Sequence, residues 1–185
     1  MTDQNDIIYR VNQSDEIVFV NQAWDRFSST NGGEKVTSAE VLNRSLWEFI
    51  TESTTQELYR QVLRRIRSGR SLQFNFRCDS PECRRLLEMH VYRAEGDTIE
   101  FRTHELSKEF REPPIILDSH AARSQEMLRA CGWCKKVFVA DAWVEAEEAV
   151  KQLRLFEQSL MPNMTHGICP PCYEIISEKI DSETD

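Results

Sequence analysis

The first hundred residues alternate between short apolar runs and helical patterns. Ile7–Val11 and Glu16–Val20 are apolar segments separated by a polar turn cluster, which predicts a β-hairpin. Asn21 is placed to cap a short helix directly after this hairpin. Apolar positions at helical spacing continue from about Thr54 to Ser68, and Gly69 ends that pattern.

Three later segments alternate apolar and polar side chains with a period of two. This alternation predicts strands of an antiparallel sheet that buries one face. Turn-forming residues separate the three segments. The predicted order is two strands, several short helices, one longer helix and three strands. The segments of the last three strands are 72–78, 87–92 and 99–102.

The order of these elements resembles a PAS domain. Ile17–Trp24 resembles the second PAS strand running into the first helix, and Asp97–Arg102 resembles the last strand. The resemblance covers residues 6–107. It implies an α+β fold with a five-stranded antiparallel sheet, helices on one face, and a signal-sensing or protein-interaction role. It also implies a homodimer, because PAS sheets often pair with one another.

The rest of the chain predicts a linker and a small helical unit. Paired prolines at 113–114 interrupt regular structure, and we assign residues 108–120 as the linker. Residues 121–178 form the predicted cysteine-rich unit, with one helical stretch from Ala121 to Ala130. A second helix is predicted from an apolar set. That set comprises Val144, Ala149, Val150, Leu153 and Phe156.

Six cysteines are many for a chain of 185 residues, and the polar, acidic N-terminus does not predict an export signal. Metal binding or redox chemistry is therefore favoured over a disulfide framework. Two CxxC pairs with 34 residues between them predict a tetrahedral zinc site. The gap is longer than the roughly 15–20 residues of common zinc ribbons, so an intervening helix is expected. The predicted ligands are Cys131, Cys134, Cys169 and Cys172.

Two features leave alternatives to the four-cysteine site open. His166 is a fifth candidate, either as a ligand that replaces one cysteine or as a hydrogen-bonding partner of a ligand. The CxxC pairs also permit a thiol-disulfide redox protein, although no βαβ pattern is evident around the first pair. Oxidation that expels zinc is compatible with the metal interpretation and stays open. Cys78 and Cys83 flank a predicted hairpin turn and have no assigned role.

The spacing of residues around the cysteines resembles a tail found after sensor domains in bacterial signalling proteins. Cys131–Lys136 and the string His-Gly-Ile-Cys-Pro-Pro-Cys at 166–172 carry this resemblance. It implies a bacterial, cytoplasmic signalling setting with a protein partner. No catalytic constellation is evident, so the chain is expected to be a module without an enzymatic output.

Charge and composition narrow the partners and cofactors. A net charge of −8 opposes broad nucleic-acid binding, so a zinc-ribbon nucleic-acid regulator is a weaker alternative. No apolar run approaches the roughly 20 residues of a membrane span. Region 21–70 lacks the histidine that haem requires and the reactive cysteine of a covalent flavin site, whereas a small apolar ligand in the PAS pocket stays open. A basic cluster predicts either a solvated helix face or docking to an acidic partner or phosphate. It comprises Arg60, Arg64, Arg65, Arg67 and Arg70.

Overall fold

The computed structural model describes residues 5–118 and 120–182. Its contacts divide the chain into two compact units, neither of which is continuous in sequence. Unit 1 comprises Met1–Asn75, Leu87–Leu106 and Ile175–Asp185, and unit 2 comprises Phe76–Leu86 and Ser107–Glu174.

The regular elements are numbered in chain order within the described residues. The strands are β1 (Ile7–Val11), β2 (Ile17–Val20), β3 (Leu72–Arg77), β4 (Cys83–Arg93), β5 (Ile99–Phe110), β6 (Arg123–Cys131), β7 (Val137–Val139), β8 (Ala142–Val144) and β9 (Met161–Gly167). The α-helices are α1 (Gln22–Thr30), α2 (Ser38–Val41), α3 (Ser53–Arg67), α4 (Ala146–Gln152) and α5 (Pro170–Asp181). The boundary between the units therefore falls inside β3, β4, β5 and α5. Throughout the part of the chain that is described, every helix is too short or too polar to cross a membrane.

Unit 1 is an α+β fold built on a five-stranded antiparallel sheet, as predicted. The strand order is β2-β1-β5-β4-β3, and β1 pairs antiparallel with both β2 and β5. The predicted cap of α1 is confirmed, because the Asn21 side chain accepts a hydrogen bond of 3.0 Å from the Trp24 amide. The same side chain bonds the Ile8 amide, so it joins the helix start to the neighbouring strand.

The core of unit 1 lies where α3 meets the sheet. The Phe101 ring stacks on Tyr9 of β1 at 4.5 Å and on Tyr59 of α3 at 6.1 Å. Stacked aromatic pairs at these distances stabilise a core beyond the area that they bury. The apolar face predicted for α3 is confirmed, since its members are fully buried. They are Leu58, Val62, Leu63 and Ile66.

The burial of Arg65 shows that the arginines of α3 do not all lie on one solvated face. A solvated face accounts for Arg64, which is exposed and pairs with Glu57 at 3.0 Å. It is wrong for Arg65, which is only 7% exposed. The Arg65 guanidinium donates to the main-chain oxygens of Ile180 at 2.6 Å and Ser182 at 2.8 Å. Helical periodicity could not identify this contact, because both partners are backbone atoms distant in sequence.

Unit 2 contains a four-stranded sheet in the order β8-β7-β6-β9, and β6 and β9 run parallel. The prediction of a small helical unit is therefore wrong, and the stretch Ala121–Ala130 is largely strand β6. Its helix-forming residues adopt a strand because pairing with β9 overrides local propensity. Phe156 was also wrongly assigned to a buried face, since it is 74% exposed.

The core of unit 2 packs α4 against the sheet. Residues 108–110 continue β5, and Ile116 is fully buried in this core. The predicted helix between the two CxxC pairs is confirmed as α4, which is accompanied by β7 and β8. The buried cluster comprises Ile116, Val137, Val139, Ala146, Ala149, Val150, Leu155 and Met161.

Glu100 is a buried carboxylate in the sheet of unit 1, and its hydrogen bonds predict how the stability of the fold depends on pH. Arg10 and Arg102 donate to it at 2.7 and 2.8 Å, and the Tyr92 hydroxyl donates as well. Burial alone would raise the pKa of Glu100, but these hydrogen bonds outweigh it and lower the pKa.

Replacing Glu100 by Gln should lower the free energy of unfolding by about 2 kcal/mol at pH 7, because hydrogen bonds to a charged group are lost. A lowered folded-state pKa contributes stability above the unfolded pKa of about 4.3 and loses it as pH falls further. The deficit of Glu100→Gln should therefore shrink below about pH 4 in urea titrations. Glu95→Gln, at an exposed turn, serves as the control. An equal deficit at pH 7 and pH 3 would contradict this account of Glu100.

Candidate metal centre

The parallel pairing of β6 and β9 brings the two CxxC pairs together. The register places Cys131 at the end of β6 opposite Gly167 at the end of β9. Parallel strands end at the same edge of a sheet, so the chain segments that follow them emerge side by side. The Gly132 amide then donates to the Gly167 oxygen at 2.7 Å, which extends the pairing into the first CxxC turn.

The four cysteine sulfurs of these turns form one tight group. The sulfur atoms of Cys131, Cys134, Cys169 and Cys172 all lie within 4.8 Å of one another, and the Cys134–Cys169 distance is 3.8 Å. A tetrahedral zinc thiolate with Zn–S bonds of about 2.3 Å has sulfur–sulfur edges of about 3.8 Å. None of the four is disulfide-bonded. The donor set and its size therefore fit a four-coordinate metal ion.

Backbone amides converge on the sulfur of Cys131. The amides of Trp133, Cys134 and Cys169 donate to it at 3.4, 3.5 and 3.4 Å. Such bonds favour the thiolate, which is the form that binds metal. The turn closes with bonds from the Lys135 amide to the Cys131 oxygen and from the Cys131 amide to the Lys136 oxygen. Lys135 adopts a left-handed backbone conformation, with φ of 63°.

The protonation of the cluster shows why a cation suits it. Hydrogen bonds from Cys134 and Cys172 lower the pKa of the Cys131 thiol well below its usual range, although burial opposes the shift. The hydrogen bond with Cys131 raises the pKa of Cys134 to about 11, and bonds to Cys131 and Cys134 raise the pKa of Cys172. Packed thiolates repel each other, so ionisation of one sulfur disfavours ionisation of its neighbours. A divalent ion offsets this repulsion and favours all four thiolates.

The second CxxC pair forms the start of helix α5. Cys169 immediately precedes the first helical residue, Pro170, a residue type suited to this position because it lacks an amide hydrogen. The Tyr173 amide bonds the Cys169 oxygen at 3.0 Å. Cys172 lies in the first turn, where the positive end of the helix dipole stabilises a thiolate.

His166, the fifth candidate ligand, is exposed on β9 opposite Ala130. It is outside the group of side chains that lie within 4.8 Å of one another. Cys78 is half-buried and Cys83 is buried, and both are free thiols outside that group. Burial raises the pKa of Cys78 even though Lys135 opposes the shift, so Cys78 is less ionised than an ordinary thiol.

The tip of the β3–β4 hairpin belongs to unit 2 and contacts the first CxxC turn. The Arg77 amide donates to the Trp133 oxygen at 2.8 Å. The Phe76 ring meets the Trp133 ring edge-on, with centroids 6.5 Å apart. Trp133 is only 8% exposed. The hairpin tip therefore restrains the backbone that carries Cys131 and Cys134.

An ion-pair network in unit 2 was missed by the sequence analysis. Arg77 pairs with Asp79 and with Glu145 at 2.8 Å, whereas Arg111 bonds Glu147 at 2.9 Å. Arg84 also bonds Glu147, at 2.8 Å. These pairs join the hairpin tip, and the residue that follows β5, to the start of α4. The paired residues are up to 68 positions apart in sequence, so the only sequence signal for these ion pairs is the opposite charge of their members.

Unit 1 has an open cleft of ≈ 380 Å³. Its two lining arginines, Arg67 and Arg93, are paired with Asp15 and Asp97 respectively. This polar lining differs from the apolar pocket that a small PAS ligand would require, and such a ligand stays a prediction. The cleft is lined by Gln13, Arg67, Arg93, Asp97, Thr98 and Ile99.

No family model and no curated protein matches this chain. Among solved structures, similarity is found to a domain of an HTR-like protein from Haloarcula marismortui, with 11% identity, a TM-score of 0.39, and coverage of 56% of this chain and 100% of that one. The PAS domain of an HTR-like protein from the same organism has 22% identity and a TM-score of 0.35, covering 56% and 84%. The PAS domain of nitrogen regulation protein NR(II) from Vibrio parahaemolyticus has 14% identity and a TM-score of 0.36, covering 56% and 92%.

Cobalt titration tests the four-sulfur cluster. Adding Co²⁺ to the reduced chain should produce the thiolate charge-transfer and visible bands of tetrahedral cobalt, because the sulfurs lie at tetrahedral spacing. Cys131→Ser should weaken binding strongly, since the sulfur that accepts three amide bonds is lost.

Cys78→Ser is the matched control and should leave the cobalt spectrum unchanged, because Cys78 is outside the cluster. Identical titrations of Cys131→Ser and the parent chain would show that the metal binds elsewhere.

Proposed function

We propose that this chain is a cytoplasmic PAS-type signal-sensing and protein-interaction module with one zinc ion bound by Cys131, Cys134, Cys169 and Cys172. The observation that carries the proposal is the convergence of four sulfurs within 4.8 Å. The metal would hold the ends of β6 and β9 and the start of α5 together. Zinc supplies folding free energy to such a site when it binds.

The donor set favours zinc and a binding role over a catalytic one. Thiolates are soft ligands that suit zinc and disfavour magnesium and calcium. Four protein sulfurs complete a tetrahedral shell, whereas catalytic zinc keeps a position open for water or substrate. The bound zinc would carry a net charge of −2 with its thiolates, and Lys135 and Lys136 next to the first CxxC pair offset this charge.

The sensing role is supported by the architecture of unit 1. Its five-stranded antiparallel sheet and its helices match the fold that the PAS resemblance implies. We propose that the unit binds a signalling partner and forms a homodimer. We propose a bacterial signalling setting for this role, and the resemblance of the tail supports this proposal.

Zinc can be structural or redox-responsive in this site. Two bound thiolates and hydrogen peroxide, with two protons, give one disulfide and two water molecules, and the sulfurs lose two electrons. The new bond leaves two of the four ligands, so the zinc ion would be released. Cys134 and Cys169 are 3.8 Å apart and can approach each other to form such a bond.

A thiol-disulfide redox protein is the second candidate, and one structural observation favours it. The absence of a βαβ pattern was an argument against redox chemistry, yet β6 and β9 are parallel and α4 lies between them in sequence. Cys169 and Cys172 also lie at a helix N-terminus, as redox-active pairs often do. The proximity of the other CxxC pair still favours metal. The nucleic-acid alternative has no comparable structural support.

Native mass spectrometry with elemental analysis tests the proposed function. The chain purified under reducing conditions should contain one zinc ion per chain, and its native mass should be that of a dimer. Hydrogen peroxide should release the zinc with loss of two free thiols if the site is redox-responsive, and a purely structural site should resist it. Disulfide-reductase turnover by a zinc-free chain would favour the redox protein instead. A metal-free chain with four reactive thiols and no turnover would refute both.

A further inference from the structure

Helix α5 begins next to the cysteine cluster, and main-chain oxygens at its C-terminal end contact Arg65 of α3. Cys172 lies in its first turn, within unit 2. The main-chain oxygens of Ile180 and Ser182 accept hydrogen bonds from Arg65 at the other end, within unit 1. Ile176, between the two ends, is only 1% exposed. One continuous helix therefore joins a candidate metal ligand to a buried arginine of α3.

We propose that α5 couples metal occupancy of the cysteine cluster to the stability of α3 in unit 1. The proposal rests on the metal site proposed above and assigns its regulation. A metal-loaded cluster fixes the first turn of α5 and favours the Arg65 contact. Loss of the metal by chelation or oxidation loosens the helix and releases Arg65.

The length of α5 makes it dependent on the groups that bind its two ends. It has 12 residues, and isolated helices shorter than roughly 12–15 residues are marginal in water. The guanidinium of Arg65 satisfies carbonyls at the C-terminus and complements the negative end of the helix dipole. Metal–sulfur bonds would restrain the opposite end. Removing either restraint therefore increases the fraying of the whole helix.

Release of Arg65 affects α3 directly. Arg65 is 7% exposed, and its guanidinium would lose the two carbonyl partners of α5. The Arg65 Nε would keep its hydrogen bond of 3.2 Å to the Ser71 oxygen. A buried guanidinium with only one partner is still costly, so the side chain would move towards water. Leu63 and Ile66, its neighbours on α3, are buried in the core of unit 1. A change at the cysteine cluster would in this way reach the core of the proposed sensor.

Thermodynamic linkage makes the coupling reciprocal and measurable. If metal strengthens the Arg65 contact, loss of that contact must weaken metal binding by the same factor. We expect Arg65→Gln to weaken Zn²⁺ binding by about fivefold or more in competition with a chromophoric chelator. Arg65→Lys should recover part of the affinity, because it retains the charge. Arg64→Gln is the matched control, since Arg64 is exposed and bonds Glu57.

Hydrogen exchange of the full chain tests the structural link. Chelation of zinc under reducing conditions should accelerate exchange in residues 175–182 and in the last two turns of α3, relative to the zinc-loaded chain. A second pair of variants tests the helix itself. Glu174→Gly with Ile175→Gly should reduce this effect, because glycine weakens a helix, whereas alanine at the same exposed positions should preserve it.

The possible results separate this inference from the proposed function. A chain that binds no zinc in elemental analysis refutes the proposed site and this coupling together. Zinc binding with unchanged exchange in 175–182, and equal affinity for Arg65→Gln and Arg64→Gln, refutes the coupling and leaves the zinc site standing. Accelerated exchange in α5 and α3 together with a selective effect of Arg65→Gln supports the coupling.

Discussion

The parallel pairing of β6 and β9 is the constraint on which the C-terminal unit depends. Its register sets Cys131 opposite Gly167, and both cysteine pairs follow at the same edge of the sheet. The chain between the two strands supplies β7, β8 and α4, whose buried side chains cover the sheet. Four sulfurs therefore converge because two strand ends meet, and the cluster needs no unusual loop to bring its halves together.

Buried and partly buried arginines connect distant segments in both units. In unit 2, Arg77 of the hairpin tip pairs with Glu145 near the start of α4. Arg111 donates to the Pro81 oxygen of the same tip and pairs with Glu147 of α4. In unit 1, the Arg65 guanidinium donates to main-chain oxygens at the end of α5. The Glu100 carboxylate accepts hydrogen bonds from two arginines and a tyrosine. Removing one partner of a buried, paired charge destabilises the protein, because the remaining charge is left uncompensated. These contacts favour one arrangement of segments that lie far apart in sequence.

Local patterns predicted the sheet and helices of unit 1 and the membership of the cysteine cluster. Alternation with a period of two is a direct consequence of a half-buried strand, and the Asn21 cap is a local interaction. The stretch around Ala121–Ala130 failed because its residues favour a helix, whereas long-range pairing with β9 makes it a strand. The partners of Arg65 and Arg77 were not predicted, because the charge of a side chain does not reveal which distant group it contacts. Tertiary contacts decided each of these cases.

The interleaving of the two units has a consequence for how the chain folds. Unit 1 draws on segments on both sides of unit 2, including Ile175 and the residues that follow it. Its assembly therefore requires the closure of long loops, and folding slows as such non-local contacts increase. During synthesis, the sheet of unit 1 emerges from the ribosome long before α5 does. The full set of unit 1 contacts can form only after both cysteine pairs have been made, because the α5 residues of unit 1 follow Cys172 in the sequence.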